Sequence, residues 1–192
     1  MREFAAALIS LLHDLDLRYA IGGSIASSYY GEPRTTLDID LSIQLAKSDA
    51  ATFVAAFAAA CEALDWYVSR DEVARAAQAG GSFSVNDGFW KADLFVVGGD
   101  TYAVEALTRW RQGQLSLSEQ PVWFLAPEDV IIHKLRWCAG ELLDKHVRDI
   151  TAILQMQAGR LDLALITRWA GEVGAGALWA ALLDAYRRRS GA

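Results

Sequence analysis

Cysteine is scarce in this chain. The 192 residues hold two, Cys61 and Cys138, at no metal-binding or redox spacing. They read as small core hydrophobes in a reducing compartment. Histidine is nearly as sparse: His13, His133 and His146 share no ligand spacing, which excludes a zinc site. Long apolar runs are missing too. The most apolar stretch, Ala50 to Cys61, is mostly alanine and far short of the roughly 20 residues that a bilayer requires. The start, Met1-Arg2-Glu3-Phe4, leads into an amphipathic segment carrying His13, Asp14 and Asp16 rather than a secretory signal. A soluble, cytoplasmic chain with no membrane partner is expected. Positive charge is in deficit, with 18 Lys and Arg against 24 Asp and Glu and a net charge of −6. That balance excludes bulk nucleic-acid binding as the main activity, while leaving room for a local basic groove. No repeat or low-complexity linker divides the chain.

What is present is ample core material. Hydrophobic residues make up 53% and charged residues 22%, which suits one domain, or one domain with a helical extension. Periodicity predicts a helix over 2–15, with Phe4, Leu8, Leu11, Leu12 and Leu15 on one side. A strand over 18–21 should run into a Gly22-Gly23 turn, with Ser24 as N-cap of a helix over 25–30. A strand over 37–45 follows, then a helix over 48–64 capped by Ser48 or Asp49. A short strand is expected over 66–69, and 71–79 reads as helix or loop. Residues 82–85 and 90–97 read as a hairpin around Asn86-Asp87-Gly88. After a last strand over 121–125, helices are expected over 127–138, 144–157, 162–173 and 177–188. Pro127, Glu128 and Asp129 form a favourable first turn. The expected fold class is α+β, a small mixed sheet flanked by helices. An α/β core over 1–125 carries a C-terminal helical region, 126–192, packed on it.

The chemistry concentrates in Leu37-Asp38-Ile39-Asp40-Leu41. In a strand, residues two apart share a face. Asp38 and Asp40 therefore project together, while Leu37, Ile39, Leu41 and Ile43 project the other way. Two close carboxylates repel, and a hard divalent cation is the usual compensation. Upstream, Gly22-Gly23-Ser24 offers backbone N–H groups to an anion. It lacks the Gly-Lys-Ser/Thr of a P-loop, which disfavours a Walker-type NTPase. In Trp90-Lys91-Ala92-Asp93-Leu94, Lys91 and Asp93 share a face in the same way. If the two strands are neighbours, three carboxylates converge. Asp93 then reads as a metal ligand or as a solvated residue paired with Lys91. Lys134 reads as a phosphate-seeking lysine or a snorkelling surface lysine. Arg34 would lie at the mouth of the site or fix its loop. Arg148 and Asp149 fit a helix-start ion pair. The seven tryptophans read as core and interface, and Arg187-Arg188-Arg189 as a basic helix end.

In order, Gly23-Ser24, Asp38-Ile39-Asp40, Lys91-Ala92-Asp93, Asp129 with Lys134, and Arg148-Asp149 resemble the DNA-polymerase-β-like nucleotidyltransferase superfamily. The pattern is most similar to AbiEii-type toxins and related minimal members. The resemblance implies transfer of a nucleoside monophosphate from an NTP to an RNA hydroxyl (a tRNA end in some members) or a protein side chain. It implies Mg²⁺ or Mn²⁺ on Asp38, Asp40 and Asp93, which would also be the catalytic set. Gly22, Gly23, Ser24, Arg34, Lys91 and Lys134 would bind the nucleotide. AbiEii-type toxins are usually encoded beside an antitoxin, which makes an antitoxin a candidate partner. Two alternatives stand beside this one: a non-catalytic NTP- or partner-binding module, and a small-molecule nucleotidyltransferase of the aminoglycoside type.

Overall fold

The computed structural model describes residues 1–99, 101–115, 121–139 and 144–190. The chain forms two compact units. The first comprises Met1–Gly22 and Thr36–Leu125, the second Gly23–Thr35 and Ala126–Ala192.

The first unit holds a mixed sheet, with helices α1 (Arg2–Asp14), α3 (Ala50–Ala63), α4 (Arg70–Ala79) and α5 (Thr101–Leu107). Its strands are β1 (Arg18–Ile21), β2 (Asp38–Gln44), β3 (Tyr67–Val68), β4 (Gly81–Asn86), β5 (Lys91–Val96), β6 (Arg111–Gly113) and β7 (Val122–Phe124). They run in the order β3-β4-β5-β2-β1-β7-β6. β2 and β5 are parallel neighbours at the centre, and β4 and β5 are antiparallel. Alternation decides what each face does. Ile39, Leu41 and Ile43 of β2, Phe83 and Val85 of β4, and Ala92, Leu94 and Val96 of β5 are all buried. Phe53 and Phe57 of α3 meet Phe83 at ring-centroid distances of 6.2 and 5.4 Å. Phe4 of α1 lies 4.7 Å from Trp66. The intervening residues of β2, β4 and β5 make the opposite face largely polar, with Phe95 as the apolar member.

The second unit is helical: α2 (Gly23–Tyr30), α6 (Pro127–Cys138), α7 (Asp144–Met156), α8 (Leu163–Glu172) and α9 (Gly176–Ser190). Gly23 has φ +53°, a left-handed conformation that favours glycine as the first residue of α2. At the other end of α2, a Cβ on Gly31 would lie 3.1 Å from both the Cβ of Ala152 and the backbone N of Ile153. That glycine lets α2 approach α7 closely. Glu128 Oε1 accepts a hydrogen bond from the Asp162 N–H at 3.2 Å, and Asp162 Oδ1 accepts from Leu165 N–H at 2.9 Å. Two carboxylates thus satisfy the start of α8.

The expected mixed architecture is present, and most boundaries fall within two residues of expectation. Helix α6 spans Pro127–Cys138 and strand β1 spans Arg18–Ile21, as predicted. Several local expectations fail. Helix α2 begins at Gly23, so Ser24 lies inside the first turn and is not its N-cap. Asp49 takes the N-cap position of α3, but its side chain makes no capping bond and accepts from Ser48 Oγ at 2.9 Å instead. The stretch left open over 71–79 is a helix, whose N-cap Ser69 Oγ accepts from Glu72 N–H. Helix α5 and strand β6 were not expected; they are short and carry weak periodicity. Trp137 is exposed, unlike buried Trp110, Trp169 and Trp179. Cys61 and Cys138 are free and buried, as expected, and burial pushes the Cys61 thiol up to about 11. Among the described residues no helix is long and apolar enough to cross a membrane.

Candidate active site

On the polar face of the first unit's sheet, the parallel register pairs Asp38 with Lys91 and Asp40 with Asp93. The antiparallel register on the other side of β5 pairs Asp93 with Ser84. Because paired residues in adjacent strands share a face, Asp38, Asp40, Lys91, Asp93 and Ser84 form one polar group. The condition on which the three carboxylates share a face, that β2 and β5 be neighbours, is met.

Asp93 is held at both carboxylate oxygens. Its Oδ1 accepts from Ser84 Oγ at 2.5 Å, and its Oδ2 pairs with Lys91 Nζ at 2.8 Å. The hydrogen bond that Lys91 donates to Asp93 raises the Lys91 pKa above its ordinary value, partly opposed by burial and further supported by the charges of Asp93, Asp38 and Asp40. All three carboxylates thus act on one ammonium. The backbone carbonyl of Asp40 accepts from Gly22 N–H at 2.8 Å, so the end of β1 is tied to the middle of the carboxylate strand.

Among the described residues, no three His, Cys, Asp or Glu side chains are arranged as a ready-made metal cage. The donor set nevertheless fits a hard cation. It is all carboxylate oxygen at adjacent register positions, and Lys91 is the positive charge that offsets it. Asp38, Asp40 and Asp93 are the side chains that could hold Mg²⁺ or Mn²⁺.

The second unit contains a charged cluster of its own. Asp149 of α7 is a hub. Arg34 donates Nε to Asp149 Oδ1 at 2.9 Å and Nη2 to Oδ2 at 3.0 Å, a two-pronged pair. Lys134 of α6 donates Nζ to the same Oδ2 at 2.7 Å. Arg34 Nη2 also reaches Ser24 Oγ at 2.5 Å. Burial pushes the Asp149 pKa up, but the hydrogen bonds and charges of Arg34 and Lys134 outweigh it and hold the carboxyl below its ordinary value. His146, nearly a turn before Asp149 on α7, is pulled down to about 4 by burial first and then by Lys134 and Lys145. Its Nδ1 is buried without a hydrogen-bond partner among the described residues.

Several sequence-level candidates are therefore placed together within each unit: Gly22, Asp38, Asp40, Lys91 and Asp93 in the first, Ser24, Arg34 and Lys134 in the second. Gly23 belongs to the second unit, where its carbonyl accepts from Ser27 Oγ at 2.7 Å. Ser84 was not a candidate, and Asp149 stood only in the Arg148-Asp149 motif. Ser84 carried no motif, and only the hairpin register places it opposite Asp93. Asp149 read as half of a local ion pair with Arg148, yet its partners lie 15 and 115 residues away. A buried-side position on an amphipathic α7, unusual for a carboxylate, was the available signal.

No family model matches the chain, and no curated protein does. Solved structures do. ANT(2'')-Ia, described as an antibiotic-resistance factor and studied in solution, is 16% identical with a TM-score of 0.57, over 95% of this chain and 94% of that one. The crystal structure of ANT(2'')-Ia in complex with adenylyl-2''-tobramycin gives 16% identity and a TM-score of 0.56 over 98% of each chain. An antigenic nucleotidyltransferase-like protein from Paracoccidioides brasiliensis gives 16% and 0.53, over 95% of this chain and 92% of that one. At such identity the likeness is one of architecture, and over nearly the whole length the chain has the fold of these nucleotidyltransferases.

Proposed function

We propose that the protein is a divalent-metal-dependent nucleotidyltransferase. The observation that carries this reading is the register of β2 and β5, which sets Asp40 beside Asp93 with Asp38 on the same face. Like charges are rarely placed so close without a task, since they repel unless a cation joins them. In the proposed reaction an acceptor hydroxyl oxygen forms a bond to the α-phosphorus of an NTP. The bond from that phosphorus to the pyrophosphate bridging oxygen breaks, pyrophosphate leaves with the bond's electron pair, and the hydroxyl proton passes to a carboxylate or to water. Asp93, fixed by Ser84 and Lys91, is a side chain whose position suits orienting the acceptor hydroxyl. Mg²⁺ or Mn²⁺ held by Asp38, Asp40 and Asp93 would supply charge neutralisation at the phosphates. Gly22, Gly23, Ser24, Arg34, Lys91 and Lys134 are the proposed nucleotide contacts.

The AbiEii-like motif order favours an RNA or protein acceptor and, with it, a toxin role and an antitoxin partner. The second reading is a small polycationic acceptor. It is supported by the fold shared with an enzyme whose crystal structure contains adenylyl-2''-tobramycin, and by the net charge of −6. Four labelled NTPs, each offered with total RNA, total protein and tobramycin in the presence of Mg²⁺, test both. Label appearing on one acceptor class identifies it. NTP binding with no pyrophosphate release from any mixture would leave the non-catalytic module as the surviving reading.

A further inference from the structure

The hairpin that joins β4 to β5 carries at its tip an apolar side chain that the core of the first unit does not use. Phe89 is 93% exposed, the most exposed large hydrophobic among the described residues. The backbone beneath it is firmly held. Asp87 Oδ1 accepts from the N–H groups of Phe89 at 2.9 Å and of Trp90 at 2.7 Å, and the Asp87 N–H donates to the Trp90 carbonyl at 3.2 Å. Gly88, with φ +93°, supplies the left-handed residue that the turn needs. A lone exposed phenylalanine requires no explanation, but this one has company. Leu37, 65% exposed, directly precedes Asp38; Trp90 directly precedes Lys91; and Asp38 and Lys91 are register partners. Two residues along the chain separate Phe89 from Lys91, a reach of at most about 7 Å between Cα atoms. Exposed apolar residues therefore border the carboxylate group where β2 and β5 begin.

The sheet order says which substrate meets that border. Strand β2 lies between β1 and β5. On the β1 side stands Gly22, a proposed nucleotide contact, whose N–H donates to the Asp40 carbonyl. On the β5 side stand Asp93, suited to orienting the acceptor, and then the hairpin to β4. In-line displacement puts the attacking and leaving oxygens on opposite sides of the α-phosphorus. With pyrophosphate leaving toward Gly22, the acceptor enters over β5. Small-molecule sites are concave, whereas a side chain so exposed on a hairpin tip stands proud, within reach of a larger acceptor. An unpaired base stacks on an aromatic ring whatever the sequence. Stacking also spares the phosphate neutralisation for which a chain of net charge −6 is poorly equipped. We infer that Phe89 is a contact for the acceptor: it stacks on the unpaired terminal nucleobase of an RNA whose sugar hydroxyl is the nucleophile. This rests on the nucleotidyltransferase reading and narrows its RNA acceptor to a single-stranded end.

The test uses the full chain, labelled NTPs and Mg²⁺. The acceptors are an RNA oligonucleotide with a single-stranded end, the same RNA with that end base-paired, tobramycin and total protein. Phe89→Ala should raise the KM for the single-stranded-end RNA about tenfold and leave the KM for NTP unchanged. Phe89→Trp keeps a stacking face and should stay within about twofold of the wild type. Phe89→Leu, apolar but not planar, should behave like the alanine variant. The paired-end RNA should be a poor acceptor, and Phe89→Ala should not alter its use. Phe89 lies outside the core, so all three variants should fold, and circular dichroism checks that they do. An unchanged KM for the single-stranded-end RNA in Phe89→Ala overturns the inference. So does a raised KM for NTP in its place. Label on tobramycin or protein but not on RNA overturns it too, while the nucleotidyltransferase reading stands. No label on any acceptor sinks both.

Discussion

Asp40 and Asp93 are register partners on parallel strands, two like charges held side by side by the backbone ladder of β2 and β5. Neither local propensity nor core packing calls for that pair, since both lie on the polar face of the sheet. Replacing either with asparagine keeps the shape and removes one charge. Asp40→Asn and Asp93→Asn should therefore melt within a degree or two of the wild type while losing about 10²-fold or more in transfer. A labelled-NTP assay beside a thermal melt checks this. Full activity in either variant would remove the carboxylates from the chemistry.

Lys91 is the built-in counter-ion of that group, 2.8 Å from Asp93. It is half exposed, so the pair contributes little to stability, about 1 kcal/mol at most. Its larger effect falls on what else can bind. A divalent cation approaching the three carboxylates meets a positive charge already in place. Lys91→Met should tighten Mn²⁺ binding by roughly fivefold, the equivalent of about 1 kcal/mol. Electron paramagnetic resonance of free Mn²⁺ in the absence of nucleotide reads this directly. Unchanged affinity would mean that Lys91 and the metal do not share the carboxylates.

Much of this arrangement was legible because it is written in periodicity. The alternation of Ile39, Leu41 and Ile43 with Asp38 and Asp40 fixed both the strand and its polar face. The alternation of Ala92, Leu94 and Val96 did the same for Lys91 and Asp93. Pairing between the two strands is a long-range property that no local pattern encodes, so convergence of the carboxylates could only be stated conditionally. Ser84 was invisible for the same reason: its role depends on the hairpin register with β5. The hub at Asp149 failed to register for a different reason. A local reading pairs an acidic residue with its sequence neighbour, here Arg148, but Arg148 is exposed and Asp149 faces inward toward cations from α6 and the 31–35 segment. Ser24 was misread as a cap because the left-handed Gly23 already starts the helix.

Breaking the Asp149 hub from one side should cost far more than removing it whole. Asp149→Ala leaves Lys134 buried without its carboxylate, a situation worth about 3–5 kcal/mol of destabilisation. The double replacement Lys134→Met with Asp149→Leu removes both buried charges, and Arg34 can turn its exposed side chain to water. The double variant should therefore be more stable than Asp149→Ala alone, even though it carries one more substitution. Urea unfolding of the two variants and the wild type gives the comparison. A double variant less stable than Asp149→Ala would show that the ion pair is not the source of the cost.

The same cluster sets how the fold responds to acid. His146 titrates near 6.5 when unfolded but only near 4 in the folded protein, where burial and the neighbouring lysines resist the proton. Between those values the unfolded chain binds a proton that the folded one does not, so stability falls as the pH drops from about 6.5 to about 4. Asp149 acts further down. Its folded carboxyl stays ionised below the ordinary 3.8, so the stability it contributes is complete above that value and drains away as the pH falls through the lower folded one. The two groups thus give successive limbs of one acid transition. His146→Gln removes the first limb and leaves the second, because glutamine takes up no proton in either state. Urea midpoints measured from neutrality down to about pH 3 should be flatter for His146→Gln than for the wild type above pH 4. Below it, the two curves should run parallel. An unchanged slope in the variant between pH 6.5 and 4 would place the acid sensitivity of this fold outside the Asp149 cluster.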